Sequence, residues 1–192
     1  MTPSNLLPKQ GEIYHYPDFF SEAESTLFFE SLLKEVPWKH EPIKIFGKEV
    51  MQPRLTAWYG DKEYSYSGIT MKPEPWNSTL LKIKERIEKI AGIKFNSALL
   101  NLYRDNQDSV GWHRDDEKEL GRNPVIGSVS LGASRVFHLK HYTEKDLKAS
   151  VELKNGGFLL MKGETQHFWL HSIPKTKTSC GPRINLTFRT IL

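Results

Sequence analysis

From residue 94 onward the chain is a run of short, β-prone segments with no helical pattern between them. They are "FNSALLNLYR", "PVIGSVSLG", "SRVFHLKH", "SVELKN", "GFLLMK", "HFWLHSI" and "RINLTFRTIL". Gly, Asn, Asp and Pro punctuate the run, as turn residues do. Many short strands without intervening helices read as a sandwich or a barrel. The N-terminal half has a different texture. "SEAESTLFFESLLKEV" opens on Ser21 with Glu24 three residues on, the pattern of a capping box. Leu27, Phe28, Leu32 and Val36 then recur at helical spacing, and the helix is predicted to end near Pro37. "NSTLLKIKERIEKIAG" predicts a second helix, capped by Asn77 or Ser78 and stopped by Gly92. Its apolar face is Leu80, Ile83, Ile87 and Ile90. Residues 37 to 75, rich in proline and aromatics, read as a long, partly hairpin insertion. The expectation is two helices packed outside a mainly antiparallel β domain.

Composition narrows the classes. The 192 residues suffice for one domain, and 38% hydrophobic residues can build a single packed core. No apolar run is long enough to cross a bilayer, and the first residues lack a charged start followed by an apolar block, so neither membrane contact nor a secretory signal is expected. Cys180 is the single cysteine, which fits a reducing compartment. Lys and Arg number 27 against 23 Asp and Glu, a net charge of +4. The basic residues are scattered and form no tail, so a phosphate-bearing partner is permitted and not demanded.

"GWHRDDE", residues 111 to 117, concentrates charge. A solvated loop would explain it. So would a metal site, because His113 and Asp115 stand two apart and would point to the same side of a strand. A third ligand would have to come from elsewhere, and two histidines with one carboxylate form the facial set of non-haem iron(II) oxygenases. Of seven histidines, His15 and His40 are far from the β segments, and His138 and His141 lie near a basic strand end. His167 and His171, in "QHFWLHSIP", are better placed. Strand alternation puts His167, Trp169 and His171 on one face, so spacing does not choose between the two histidines. "RINLTFR" alternates cleanly, with Ile184, Leu186 and Phe188 on one face and Arg183, Asn185, Thr187 and Arg189 on the other. An edge strand with solvated polar residues is one account. A cradle for a dicarboxylate is the other, since the arginine fork matches a carboxylate. Asn101 and Tyr103 repeat the pattern against Leu100 and Leu102.

Four elements in order, "NLY" (101–103), "HRD" (113–115), "WLHSIP" (169–174) and "RINLTFR" (183–189), resemble the AlkB-like iron(II)- and 2-oxoglutarate-dependent dioxygenases. The resemblance covers residues 10 to 192 and is nearest to the animal homologue that repairs double-stranded DNA. It implies a single domain over 1–192, mainly β with flanking helices (α+β). Residues to about 93 would form a nucleotide-recognition extension, and those from about 94 a double-stranded β-helix, or jelly roll. It implies Fe(II) ligands His113, Asp115 and His171, with His167 as a neighbour. It assigns Asn101, Tyr103, Arg183, Thr187 and Arg189 to 2-oxoglutarate, with Asn185 bracing the site, and O2 as the other cosubstrate.

The implied reaction is hydroxylation of a methyl group on a base nitrogen of N1-methyladenine or N3-methylcytosine. Formaldehyde, succinate and CO2 would leave. Asp116 matches the position that faces the flipped base, where an acid favours the cationic lesion. Glu117 reads as a solvated or Arg-paired neighbour. Phe46, followed by Gly47 and flanked by Lys44 and Lys48, matches a hairpin-tip wedge that enters the duplex, although a core phenylalanine would read the same. Tyr64 and Tyr66 match positions that line the base pocket. The implied partner is alkylated double-stranded DNA, bound by a monomer. The implied location is intracellular, nuclear in a eukaryote and cytoplasmic in a bacterium. An RNA demethylase of the same mechanism is the alternative, and a non-catalytic nucleic-acid-binding β domain a further one.

Overall fold

The computed structural model describes residues 3–45, 48–61, 64–66 and 69–192. Phe46 and Gly47 lie outside the described residues, as do the side chains of Lys44, Tyr64 and Tyr66. In chain order the elements are β1 (Glu12–Tyr16), α1 (Glu22–Glu35), β2 (Pro42–Ile45), β3 (Lys48–Met51), β4 (Leu55–Gly60), β5 (Tyr64–Tyr66), β6 (Ile69–Met71) and α2 (Ser78–Ala91). Then follow β7 (Ser97–Tyr103), β8 (Val110–His113), β9 (Ile126–Gly132), β10 (Arg135–His141), β11 (Lys148–Leu153), β12 (Phe158–Lys162), α3 (Thr165–Phe168), β13 (Trp169–Ile173) and β14 (Arg183–Arg189).

The strands form a six-stranded sheet, β1-β12-β9-β14-β7-β4, and a four-stranded sheet, β11-β10-β13-β8. All of these pairs are antiparallel, which gives the jelly roll. β2 with β3, and β5 with β6, make two separate hairpins in the insertion. β1 and β4 precede residue 93 in the chain, yet they are the two edges of the large sheet. The β layer therefore extends across the division that the sequence suggests. β14 is bonded on both sides, to β7 and to β9. It is a central strand, so the edge-strand account of its polar face does not hold.

The helices form as their caps direct. Ser21 accepts from the Glu24 N–H while the Glu24 carboxylate accepts from the Ser21 N–H. Asn77 caps α2, and Gly92 ends it in the left-handed region at φ 72°. Leu32, Leu80, Ile83 and Ile87 are buried to the last few square ångströms and meet Leu100, Ile184, Leu186 and Phe188 on the outer face of the large sheet. Leu27 was expected on this face and is 65% exposed. It precedes Leu32 by five residues, about 140° round the helix at 3.6 residues per turn. Ile90, in the last turn of α2, is also exposed. A second apolar cluster, including Tyr103, Leu139, Leu159, Trp169 and Ile173, fills part of the space between the two sheets. The remainder of that space is polar, and it is where the candidate site lies.

Candidate active site

Two strands of the small sheet carry the histidines. His113 ends β8 and His171 lies in β13, and the two are register partners with ring centroids 4.3 Å apart. Asp115 follows in the loop after β8 and is 3% exposed. One ligand atom from each of His113, Asp115 and His171 lies within 4.8 Å of the others. His167 does not join them. It belongs to the four-residue helix α3, so strand alternation never reaches it, and its Nε2 lies 2.9 Å from Asn123 Oδ1.

Asp115 is braced at two points, its carboxylate and its backbone. Arg189 donates to Asp115 Oδ2 from Nη2 at 2.7 Å and from Nε at 3.2 Å. The Asp115 N–H donates to Oε1 of Gln166 at 2.9 Å. Burial by itself would raise the Asp115 pKa, but the Arg189 guanidinium, helped by the two histidines, outweighs it and brings the value to about 2. Burial pushes His171 down to about 3, and its neighbour His113 adds to the shift. Burial also lowers His113, against the pull of Asp115. The cluster is thus one carboxylate and two neutral imidazoles at neutral pH, the protonation state that metal binding requires. The ring of Phe137 stacks on His171 at 5.2 Å. His171 Nδ1 is buried, with no hydrogen-bond partner among the described residues.

Across the cavity, β14 and β7 present the polar residues read from the sequence. Arg183 is 1% exposed. Its Nη2 donates to Ser130 Oγ at 2.9 Å, and its guanidinium lies 5.1 Å from the centroid of the Tyr103 ring. Among the described residues no close hydrogen-bond partner meets its buried Nε and Nη1, and Tyr103 is the side chain that offsets its desolvation. Burial lowers its pKa. A buried cation with two such donors is costly, and a carboxylate would relieve that cost. Asn185 donates to Ser128 Oγ at 2.8 Å, which ties β14 to β9, and accepts from Thr187 Oγ1 at 3.0 Å within β14. Asn101, Tyr103, Arg183, Asn185, Thr187 and Arg189 all line the cavity that holds the three candidate ligands.

Asp116 does not line it. Its carboxylate is 46% exposed and accepts from Arg114 Nε at 2.6 Å. Two contributors escape a sequence reading. Arg54 is buried in the cavity wall and donates to Asn101 Oδ1 at 2.7 Å. Gln166, 1% exposed, holds the Asp115 backbone. Both act across gaps of about fifty residues, and no local pattern marks either one.

A jelly roll with two histidines, a carboxylate and a buried arginine in one cavity has the frame of a non-haem iron oxygenase. The comparisons agree. Residues 12–189 match the 2OG-Fe(II) oxygenase superfamily, and the chain belongs to that family. It is AlkB-like: it is 45% identical over 185 residues to the bovine "Alpha-ketoglutarate-dependent dioxygenase alkB homolog 3", covering 91% of this chain and 64% of the relative. It is 38% identical over 189 residues to the human "DNA oxidative demethylase ALKBH2", covering 92% and 72%. The chain thus spans just under two thirds of the alkB homolog 3 relative. The structure titled "The structure of OsALKBH1" shares the fold, with a TM-score of 0.68 at 16% identity, over 93% of this chain and 97% of that one. Enzymes of this family use iron(II), 2-oxoglutarate and O2, and His113, Asp115 and His171 form a possible iron site here. Among the described residues no helix is long and apolar enough to cross a membrane.

Proposed function

We propose that the chain is an oxidative DNA demethylase that reverses N-alkyl damage, with N1-methyladenine and N3-methylcytosine as substrates. The observation that carries this reading is the juxtaposition in one cavity of three neutral-pH-ready ligands with a buried, half-satisfied arginine. The donors fit both groups. Two imidazoles and a carboxylate suit iron(II), and the Nε and Nη1 of Arg183 suit one end of a dicarboxylate. When bound, iron(II) with 2-oxoglutarate and O2 supplies the power to hydroxylate a methyl group, and the product then releases formaldehyde alongside succinate and CO2.

The chain's own residues bind and orient. Arg189 and Gln166 hold Asp115 so that Oδ1 faces His113, 3.9 Å away. Asn101, Tyr103, Arg183, Thr187 and Arg189 would hold the cosubstrate, with Asn185 bracing that wall. Asp116, paired with Arg114, would meet the cationic base. Phe46 as wedge and Tyr64 and Tyr66 as stacking residues remain part of the proposal through the family resemblance. The substrate would be duplex DNA with the damaged base flipped out, bound by a monomer.

The test is mass spectrometry of N1-methyladenine and N3-methylcytosine oligonucleotides incubated with iron(II), 2-oxoglutarate and ascorbate. Single-stranded DNA, duplex DNA and RNA are compared. The reading predicts a net loss of one CH2 from both DNA forms, with formaldehyde released. Turnover confined to RNA would replace it with the RNA demethylase, and no turnover on any substrate would leave the non-catalytic reading.

A further inference from the structure

The outer face of the small sheet has a feature that the site does not explain. Lys140 in β10 and Lys148 in β11 are direct register partners. Like charges in directly opposed positions destabilise a sheet, and neither lysine has an acidic partner among the described residues. Glu152, the acid of β11, is 3.8 Å from Lys154 instead. On the same surface Trp112 is 46% exposed, with Lys140 Nζ 4.3 Å from its ring centroid. Tyr142 is 57% exposed, with the Arg114 guanidinium 4.8 Å from its centroid. Trp112, His138, Lys140, Lys148, Ala149 and Ser150 line an open groove of about 490 Å³. Strand alternation places Trp112 outside and its neighbour His113 inside, so the groove backs directly onto the candidate iron site.

We propose that, when the substrate is single-stranded DNA, this groove is a track for the strand flanking the base presented to the site. Phosphates would meet Lys140 and Lys148, and a base would stack on Trp112. Cations beside exposed aromatic rings are the pairing by which single strands are held without sequence preference. The uncompensated lysine pair is then explained, since an anionic strand supplies the charge that the sheet lacks. The proposal rests on the nucleic-acid reading above.

Lys148→Glu gives the sharpest test, because it should move stability and affinity in opposite directions. It replaces a like-charge pair with an opposite one, so Tm should hold or rise. Binding of an unmodified fluorescent dT15 oligonucleotide, measured by anisotropy, should weaken. The slope of log K against log salt should fall by about 0.7 for the lost phosphate contact. Trp112→Ala should weaken the same binding by about 5- to 150-fold, the range for one lost stacking contact. Turnover of a methylated trinucleotide, too short to follow the track, should match the wild type for Lys148→Glu. Wild-type affinity for dT15 in both variants would overturn the proposal. So would a change of mass in light scattering with unchanged oligonucleotide affinity, which would make the face a contact between copies of the chain. Wild-type protein that turns over no methylated substrate would instead remove the demethylase reading on which the track rests.

Discussion

The two faces of β14 divide the work of the molecule. Ile184, Leu186 and Phe188 are fully buried on one side against α2 and β7, in a region that is apolar throughout. Arg183, Thr187 and Arg189 are nearly as inaccessible on the other side, with Asn185 half-buried, and all four line the cavity. The same seven residues therefore pack a core and face a cavity. The apolar face gains stability from what is already there. The polar face carries Arg183, whose Nε and Nη1 have no close partner among the described residues, and a bound anion would supply one.

If this division is real, substitutions on the two faces should fail differently. His113→Ala, Asp115→Ala and His171→Ala should abolish iron binding and turnover, while His167→Ala should leave iron affinity near the wild-type value. Titration with Co(II), followed by its visible absorption, tests all four. Retained cobalt binding in His171→Ala with loss in His167→Ala would reverse the ligand assignment. Phe188→Ala, on the other face, should cost about 3–5 kcal/mol of stability, read by denaturant unfolding, yet leave cobalt affinity unchanged in the protein that remains folded. A loss of affinity in that variant would show that the two faces are not separable.

Gln166→Leu should lower cobalt affinity about 10- to 100-fold, as loss of a group that orients a ligand does. Gln166→Glu keeps an acceptor for the Asp115 N–H and should recover part of the loss. Arg183→Lys should weaken 2-oxoglutarate binding by at least about tenfold, the worth of one charge-assisted hydrogen bond of about 1.5–3 kcal/mol. Calorimetric titration of 2-oxoglutarate in the presence of Mn(II) would show it, and an unchanged affinity would remove Arg183 from the cosubstrate.

The smallest effect belongs to the helix side. Burial alone would raise the pKa of Glu88, but hydrogen bonds from Lys94, Lys84 and the Phe95 N–H override it and hold the value below the usual one. Its stabilisation is therefore present above the unfolded glutamate pKa of about 4.3 and is lost as pH falls through the lower folded value. Glu88→Gln should cost about 1–3 kcal/mol near neutrality, and the difference should shrink as pH falls below the ordinary glutamate value. A Tm gap independent of pH would mean that charge plays no part.

How much of this was legible in the sequence depended on the range of the interaction. The alternation in "RINLTFR" and "LNLY" exposed both faces of β14 and β7, because strand periodicity is local. The capping box at Ser21 was legible for the same reason. The choice between His167 and His171 was not, because one turn of helix, α3, interrupts the alternation just before β13. Nor was Gln166 or Arg54, each of which reaches a partner on a distant segment. The wedge at Phe46 rests on resemblance and lies outside the described residues.

The Asp115–Arg189 ion pair joins a loop of the small sheet to the last residue of β14 in the large one. It acts as a clasp across the mouth of the sandwich, and the groups proposed to bind there would close further clasps over the same gap. Ligand occupancy and resistance to heat should then rise together, since anything that binds only the folded state adds RT ln(1 + [L]/Kd) to its stability. An enzyme of this build would be most vulnerable to unfolding and proteolysis when it is starved of metal and cosubstrate. The cell's supply of both would then set how long the protein lasts as well as how fast it works.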